Sequence, residues 1–496
     1  MLARVIETSQ PATAQTPAAQ PNALLGRTPG LFNVPLHVAF ADALAAGLLA
    51  RCAGDPLALA QALVLLPNRR AVTALTEAFV RQLPDSNGSV GGLLLPRMVP
   101  VGDLDDGGFE RLAMGEAPLP PAVPSLYRRF ELARLAGRLP GSQRAAVERL
   151  RLGDALGEVL DALLAEEVPP EALRAAADGQ DLADHWRKTL AFLDLIIAAW
   201  PEARRGHGGT EGVTRLASLI DAAVARWRAV PPPGLVVAAG IANPTPALVR
   251  LLAAVLRLPQ GLVVLPGLDD DDSPAGAARW AAIRVASPDD AAPEGAGQDT
   301  RGWRDDPGHP QWALKKLLAA LGLERADVRP WAVRAGALDG PPERADALLA
   351  ALAPAAAAGA MPPPRPAALS QLALAECATA AEEAQVVALA LREALEEPGR
   401  RAALITPDPV LARRVAAHCR RWGIIIDSSA GTPLVLTEPG ALALALVEAM
   451  AEAFAPARLL AVLKNRLVQP EAPEFAAGTR LADLALRGVR PPPGLD

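Results

Sequence analysis

The chain has 496 residues, of which 51% are hydrophobic and 21% charged, and its net charge is −6. That length supports roughly two to four domains with sizeable cores, and the composition excludes a disordered chain. The acidic balance excludes a polycationic nucleic-acid coat, so any DNA contact has to come from a local basic patch.

Residues 1–30 are rich in Ala, Pro, Thr and Gln and have no apolar signal-peptide core, which reads as a disordered leader or a misplaced start. Leu31–Val34 is a short strand candidate, followed by a loop and an apolar helix. The loop, Pro35-Leu36-His37-Val38-Ala39, has no glycine to curl round a phosphate, no lysine and no Ser or Thr for magnesium. GxxxxGK[ST] occurs nowhere in the chain, so ATP hydrolysis by the usual phosphate-loop route is not expected and no cofactor is assigned.

Ala62–Arg81 organises the first half. Leu63–Leu66 is an unbroken apolar run ended by Pro67, which suits a buried parallel strand or a piece of buried helix. Asn68 can cap a helix whose apolar face is Val72, Leu75 and Phe79. Arg69 and Arg70 lie in the turn between them. Cations at a helix N-terminus are locally unfavourable by a few tenths of a kcal/mol. Helix-end amides and two arginines suit a phosphate, while local sequence alone favours plain solvation for both.

Gly91–Asp106 reads as a short apolar strand, a proline-punctuated loop and then acids, with Arg97 at the strand end as a phosphate-contact candidate. Asp103, Asp105 and Asp106 read as solvent-facing caps, and no metal site is assigned. Residues 124–202 are helical in period, and His185-Trp186 read as packing. Pro231-Pro232-Pro233 closes this helical insertion. Leu235–Ala239, Ala247–Arg257 and Leu262–Leu265 form a βαβ signature whose strands read as buried on both faces. Asp269–Asp272 read as a solvated loop and residues 274–302 as a low-complexity mobile segment. His309-Pro310-Gln311-Trp312 opens an amphipathic helix that Gly322 ends, with Lys315 and Lys316 on a solvated face.

Residues 353–368 are a Pro/Ala linker. Beyond it, strands are expected at 370–375, 402–406 and 424–426, with helices over 382–396 and from the Asp408 cap to Gly423. Ser428-Ser429-Ala430-Gly431 is a turn able to take a phosphate, and helices follow at 441–453 and 457–463. Cys52, Cys377 and Cys419 stand far apart without CxxC, which fits buried thiols in a reducing, cytoplasmic compartment. No run of eighteen uncharged apolar residues is present, so no membrane span is expected.

The strand, arginine turn and helix at 62–81 resemble the DNA-contacting motif that follows the ATP site of superfamily 1 helicases. With LLLPRMVPVGDLDD, DPGHPQ and DVRPW, the chain from about residue 31 onward resembles the B subunits of AddAB-type helicase–nucleases, which process DNA double-strand breaks in bacteria. The resemblance implies an α/β, helicase-like (RecA-like) fold: parallel sheets, a large all-helical insertion, and two P-loop-type domains lacking a functional P-loop. The first domain would span 31–120 and 231–352 around an insertion at 121–230, and an incomplete second would span 369–496. It implies DNA contacts at Asn68, Arg69, Arg70, Arg97, Ser428 and Gly431, and as partners DNA ends, single strands and a motor subunit. The family carries a nuclease domain further on. The chain is therefore expected to be an N-terminal half, truncated or split, with no catalytic residue of its own. Two other readings stay open. One is a structural half-protein that only docks the motor subunit; the other is an independent nucleotide-dependent enzyme, which would need the phosphate loop that is absent.

Overall fold

In the computed structural model, the described residues are 30–53, 57–82, 92–102, 108–113, 119–138, 145–169, 199–205, 208–285, 305–332, 338–359, 361–468 and 473–487, with 55, 336 and 494. The chain divides into two compact units, Met1–Leu372 and Ala373–Asp496.

The first unit is built on one sheet. β1 (Leu31–Val34) leads to α1 (Phe40–Arg51) and the single-turn α2 (Ala58–Gln61). β2 (Leu63–Leu66), α3 (Arg69–Arg81) and β3 (Arg97–Pro100) follow. α4 (Gly108–Ala113), α5 (Ser125–Ala136), α6 (Ala146–Ala165) and α7 (Gly212–Ala229) precede β4 (Val236–Ala239). Then come α8 (Pro246–Arg257), β5 (Gly261–Pro266), α9 (Pro274–Ala282), α10 (Trp312–Leu321), β6 (Arg329–Pro330), α11 (Glu343–Ala351) and α12 (Ala355–Ala358). The six strands are all parallel, in the order β3-β2-β4-β5-β1-β6.

Strand alternation explains why the central runs are wholly apolar. Leu31, Leu63, Leu65, Val236, Ala238, Val263 and Leu265 face one core with α4, α7, α8 and α10. Phe32, Val34, Val64, Leu66, Val237, Ala239 and Val264 face a second core with α1 and α3. Both faces are covered, as a parallel sheet requires. Trp331, just after β6, seals the second core at 2% exposure. Its ring meets Phe32 edge-on at 5.3 Å, its indole N–H donates to the Ala43 carbonyl, and Gly47 leaves no room for any side chain against it. The Arg51 guanidinium stacks on the same ring at 3.7 Å, and burial, helped by nearby Arg329, pulls its pKa down to about 10.

The insertion has a small core of its own, with Leu132, Leu135, Leu156 and Leu160 from α5 and α6 against Trp200. Buried Glu211 holds it together, accepting from the Trp200 indole and pairing with Arg128, which also reaches Asp161. His185 and Trp186 lie outside the described residues.

Four expectations need correction. The third strand is Arg97–Pro100 and not the leucine run before it; Leu94 and Leu95 are exposed, while Leu63 pairs with Arg97. Pro274–Ala282 is a helix, because Ser273 caps it by accepting from the Gly276 amide and proline occupies its first turn. The segment 353–368 carries α12 and buried Ala357 and Ala368, and the Arg344 guanidinium donates to the Ala368 and Ser370 carbonyls.

The fourth correction concerns the second unit. Among its described residues no strand forms at 370–375, 402–406 or 424–426. The unit consists of α13 (Ala380–Ala394), α14 (Pro409–Arg420), α15 (Glu438–Ala451), α16 (Pro456–Leu463) and α17 (Pro473–Ala485). Among its described residues a core cluster joins Ala384 and Ala388 of α13 to Val415 and Cys419 of α14. Leu404 and Ile424 pack against that pair, but the next residues, Ile405 and Ile425, are each 95% exposed. One side of each segment is covered and the other is not, so no second parallel sheet closes.

Trp331→Ala removes a fully buried ring, its hydrogen bond and the support of Arg51. The expected loss is about 3–5 kcal/mol in the unfolding of the first unit, measured by chemical denaturation.

Candidate nucleic-acid interface

Parallel strands put every strand-to-helix loop on one rim of the sheet. The arginine turn lies on this carboxyl rim, after β2. Asn68 is extended, and its side-chain oxygen accepts the Ala71 amide, so it caps α3 as expected from sequence. Arg69 and Arg70 form the first turn of α3, and Asn68, Arg69 and Arg70 are all exposed. Leu75 and Phe79 bury the other side of the helix, and Arg81 pairs with Asp42 of α1 through two 2.8 Å hydrogen bonds. α3 is therefore fixed at both ends, and its N-terminal arginines are offered to solvent by a rigid element. The neighbouring loop crosses close by, where the Gly102 amide donates to the Pro67 carbonyl.

Arg97 does not join this group. It opens β3 opposite Leu63, whereas the arginine turn follows Leu66. The strand separates them by about 10 Å along its axis, which puts Arg97 at the amino rim. Ser428 and Gly431 belong to the second unit, in an exposed turn closed by the Gly431 amide on the Ser428 carbonyl; Gly431 has φ +68°. The exposed arginines of α14, Arg413, Arg414 and Arg420, are in that unit too.

The β5/β1 part of the carboxyl rim differs from its sequence reading. Asp269 is 1% exposed and Arg279 is 4% exposed, and the two pair through 3.1 Å contacts. Arg279 also donates to Asp271. Asp270 accepts from Asn33, whose amide group also bonds both backbone groups of Leu268. Gln311 completes the frame, donating to the Gly267 carbonyl and accepting the Asp269 amide. Asp270 and Asp272 are exposed, as expected of the run, Asp272 with its side chain 95% exposed, whereas Asp269 is buried and Asp271 half-buried. The signal in the sequence is Arg279, ten residues after Asp269, which a mobile-segment reading of 274–302 leaves without a role.

Lys315 is likewise structural. Its ammonium donates to the Trp280 and Ile283 carbonyls at the end of α9, and burial, reinforced by Arg325, lowers its pKa. Lys316 pairs with Glu166. His37 is half-buried, and its Nδ1 is enclosed without a hydrogen-bond partner. Among the described residues no cluster of His, Cys, Asp or Glu could hold a metal ion; Asp103, Asp105 and Asp106 lie outside them.

Fold and site together define an α/β protein with a six-stranded all-parallel sheet, an exposed arginine pair on its carboxyl rim and an internally ion-paired β5/β1 crevice. No helix among the described residues is long and apolar enough to cross a membrane. No protein-family model and no curated protein matches the chain.

The Asp271 carboxyl gives a pH test. Burial alone would raise its pKa, but hydrogen bonds from Ser273 and from the Arg279 guanidinium outweigh it and hold the group below the ordinary aspartate value. A depressed carboxylate adds stability that is complete above the unfolded pKa, about 4, and disappears as pH falls through the folded value. In denaturant titrations, wild type is expected to exceed Asp271→Asn in stability at pH 7, and the gap is expected to close as the solution is acidified below about pH 4.

Proposed function

We propose that this chain is a non-motor, DNA-binding subunit of a helicase–nuclease that processes DNA double-strand breaks for homologous recombination. Its first unit would be a helicase-like (RecA-like) domain and its partner a motor subunit of the AddA type. The observation that carries this is the exposed Arg69–Arg70 pair at the first turn of α3, on a helix immobilised by its Asn68 cap and the Arg81–Asp42 pair. Two guanidinium groups there suit successive phosphates, which give affinity and register but no base sequence information. The resemblance of 62–81 to the helicase DNA-contact motif, and the absence of a phosphate loop after β1, support a strand-holding role over a motor role.

The second unit favours a companion reading. Leu374, Ile405 and Ile425 are 90%, 95% and 95% exposed, an apolar display that suits docking to another protein. On that reading the chain is a scaffold for the motor subunit without DNA binding of its own.

Fluorescence anisotropy with a forked duplex separates the two. The DNA-binding reading expects affinity that falls steeply with salt, and an Arg69→Ala/Arg70→Ala variant that binds about tenfold more weakly with a log–log salt slope reduced by roughly one to two. Salt-insensitive or absent binding in wild type, or a double variant that binds as wild type does, contradicts it.

A further inference from the structure

Residues 400–422 carry six arginines against one acid, Asp408, in a chain whose net charge is −6. Four of the six belong to α14: Arg413, Arg414 and Arg420 lie within it and Arg421 is its C-cap. The helix buries Val415 and Cys419, one turn apart, against Ala384 and Ala388 of α13. At about 3.6 residues per turn, Arg413 and Arg420 stand roughly 140–160° from Val415 one way round the helix. Arg414 and Arg421 stand roughly 100–120° from it the other way. All four are exposed, on the side turned away from α13. They form two rows, each with its arginines seven residues apart and so spanning about 10 Å of helix axis.

Elsewhere the chain clamps its arginines: Arg81, Arg128, Arg250, Arg279 and Arg458 are each held by carboxylates. Arg413, Arg414, Arg420 and Arg421 have no carboxylate partner among the described residues. Asp408 is engaged as the cap of α14, accepting the Val410 amide at 2.7 Å, and Glu397 pairs with Arg400. The helix dipole favours Arg420 and Arg421 at the C-terminus but gives no reason for Arg413 and Arg414 in the second turn. Like charges gathered on one face repel, and an external polyanion relieves that repulsion. Trp422, at the end of the face, is 37% exposed, an aromatic of the kind on which a base stacks.

We propose that this face of α14 is a second nucleic-acid contact, in which Arg413, Arg414, Arg420 and Arg421 take backbone phosphates. A span of about 10 Å corresponds to roughly three nucleotides of a duplex strand at about 3.4 Å each. Guanidinium groups bind phosphate oxygens through paired N–H donors, so the contact holds a strand without reading its bases. This contact rests on the reading of the chain as a DNA-binding subunit but not on the arginine turn, which belongs to the other unit.

Fluorescence anisotropy of the full chain with a forked duplex tests it. Arg413→Gln/Arg414→Gln/Arg420→Gln/Arg421→Gln is expected to bind at least about tenfold more weakly, with a log–log salt slope reduced by roughly two to four. Lysine at the same four positions keeps the charge and is expected to keep a slope close to that of wild type. In wild type, the duplex is expected to shield these four arginines from phenylglyoxal, read by mass spectrometry, while exposed Arg480 reacts as before. A glutamine variant with the wild-type slope, or no shielding, overturns the inference; the arginine turn still stands if Arg69→Ala/Arg70→Ala weakens binding. Absence of salt-dependent binding in wild type overturns both. Displacement of the duplex by poly-glutamate as readily as by unlabelled duplex of equal charge assigns the face to an acidic protein and overturns the nucleic-acid contact. Should the glutamine variant lose its helical circular dichroism, the wild-type shielding decides.

Discussion

The structure of the first unit depends on the seating of β1 between β5 and β6. The Asn33 side chain fixes it, bonding the amide and carbonyl of Leu268 at a separation of 235 residues and reaching Asp270 as well. A buried amide group with its polar atoms satisfied is stabilising, and one left without partners costs about 1–3 kcal/mol, so this residue specifies one register for β1. From that register follow the position of Trp331 on Phe32 and the closure of the second core.

The rim then divides into two regions of opposite character. At β5/β1 the acids have partners inside the chain: buried Asp269 pairs with buried Arg279, exposed Asp270 accepts from Asn33, and half-buried Asp339 accepts at the start of α1. The buried Asp269–Arg279 pair is costly to break by removing one partner. At β2, across β4 and β5 and so about 14 Å away, the arginine turn is exposed. The two parts of the rim thus differ: an internally paired acid cluster at β5/β1 and two exposed arginines at the β2 turn.

Legibility in the sequence followed the locality of the forces. β1, β2, β4 and β5 were readable because their residues are apolar on both faces, and the α3 cap because Asn68 contacts a residue three positions away. β3 was misplaced by a few residues. It is an edge strand that begins with an exposed arginine, and the more apolar Leu93-Leu94-Leu95 run beside it competes for the same reading. β6 is two residues long and held by pairing to β1, which no local pattern announces. Asp269 looked solvated because its partner sits on a helix hidden in an Ala/Gly/Pro-rich stretch. In the second unit the alternation of Leu404 inward and Ile405 outward resembles a strand, but no strand forms there, because a ladder needs neighbours that local pattern does not supply. Of the six candidate contact residues, Asn68, Arg69 and Arg70 share the β2 turn, Ser428 and Gly431 share a turn of the second unit, and Arg97 opens β3.

The central claim, that the arginine turn is where this chain meets nucleic acid, is tested most directly by hydrogen-exchange mass spectrometry of the unmodified chain with and without a forked DNA duplex. The account predicts DNA-dependent protection over residues 67–72, lost as salt is raised, with the β5/β1 crevice unchanged. Protection confined to other segments, or none at low salt, would contradict it.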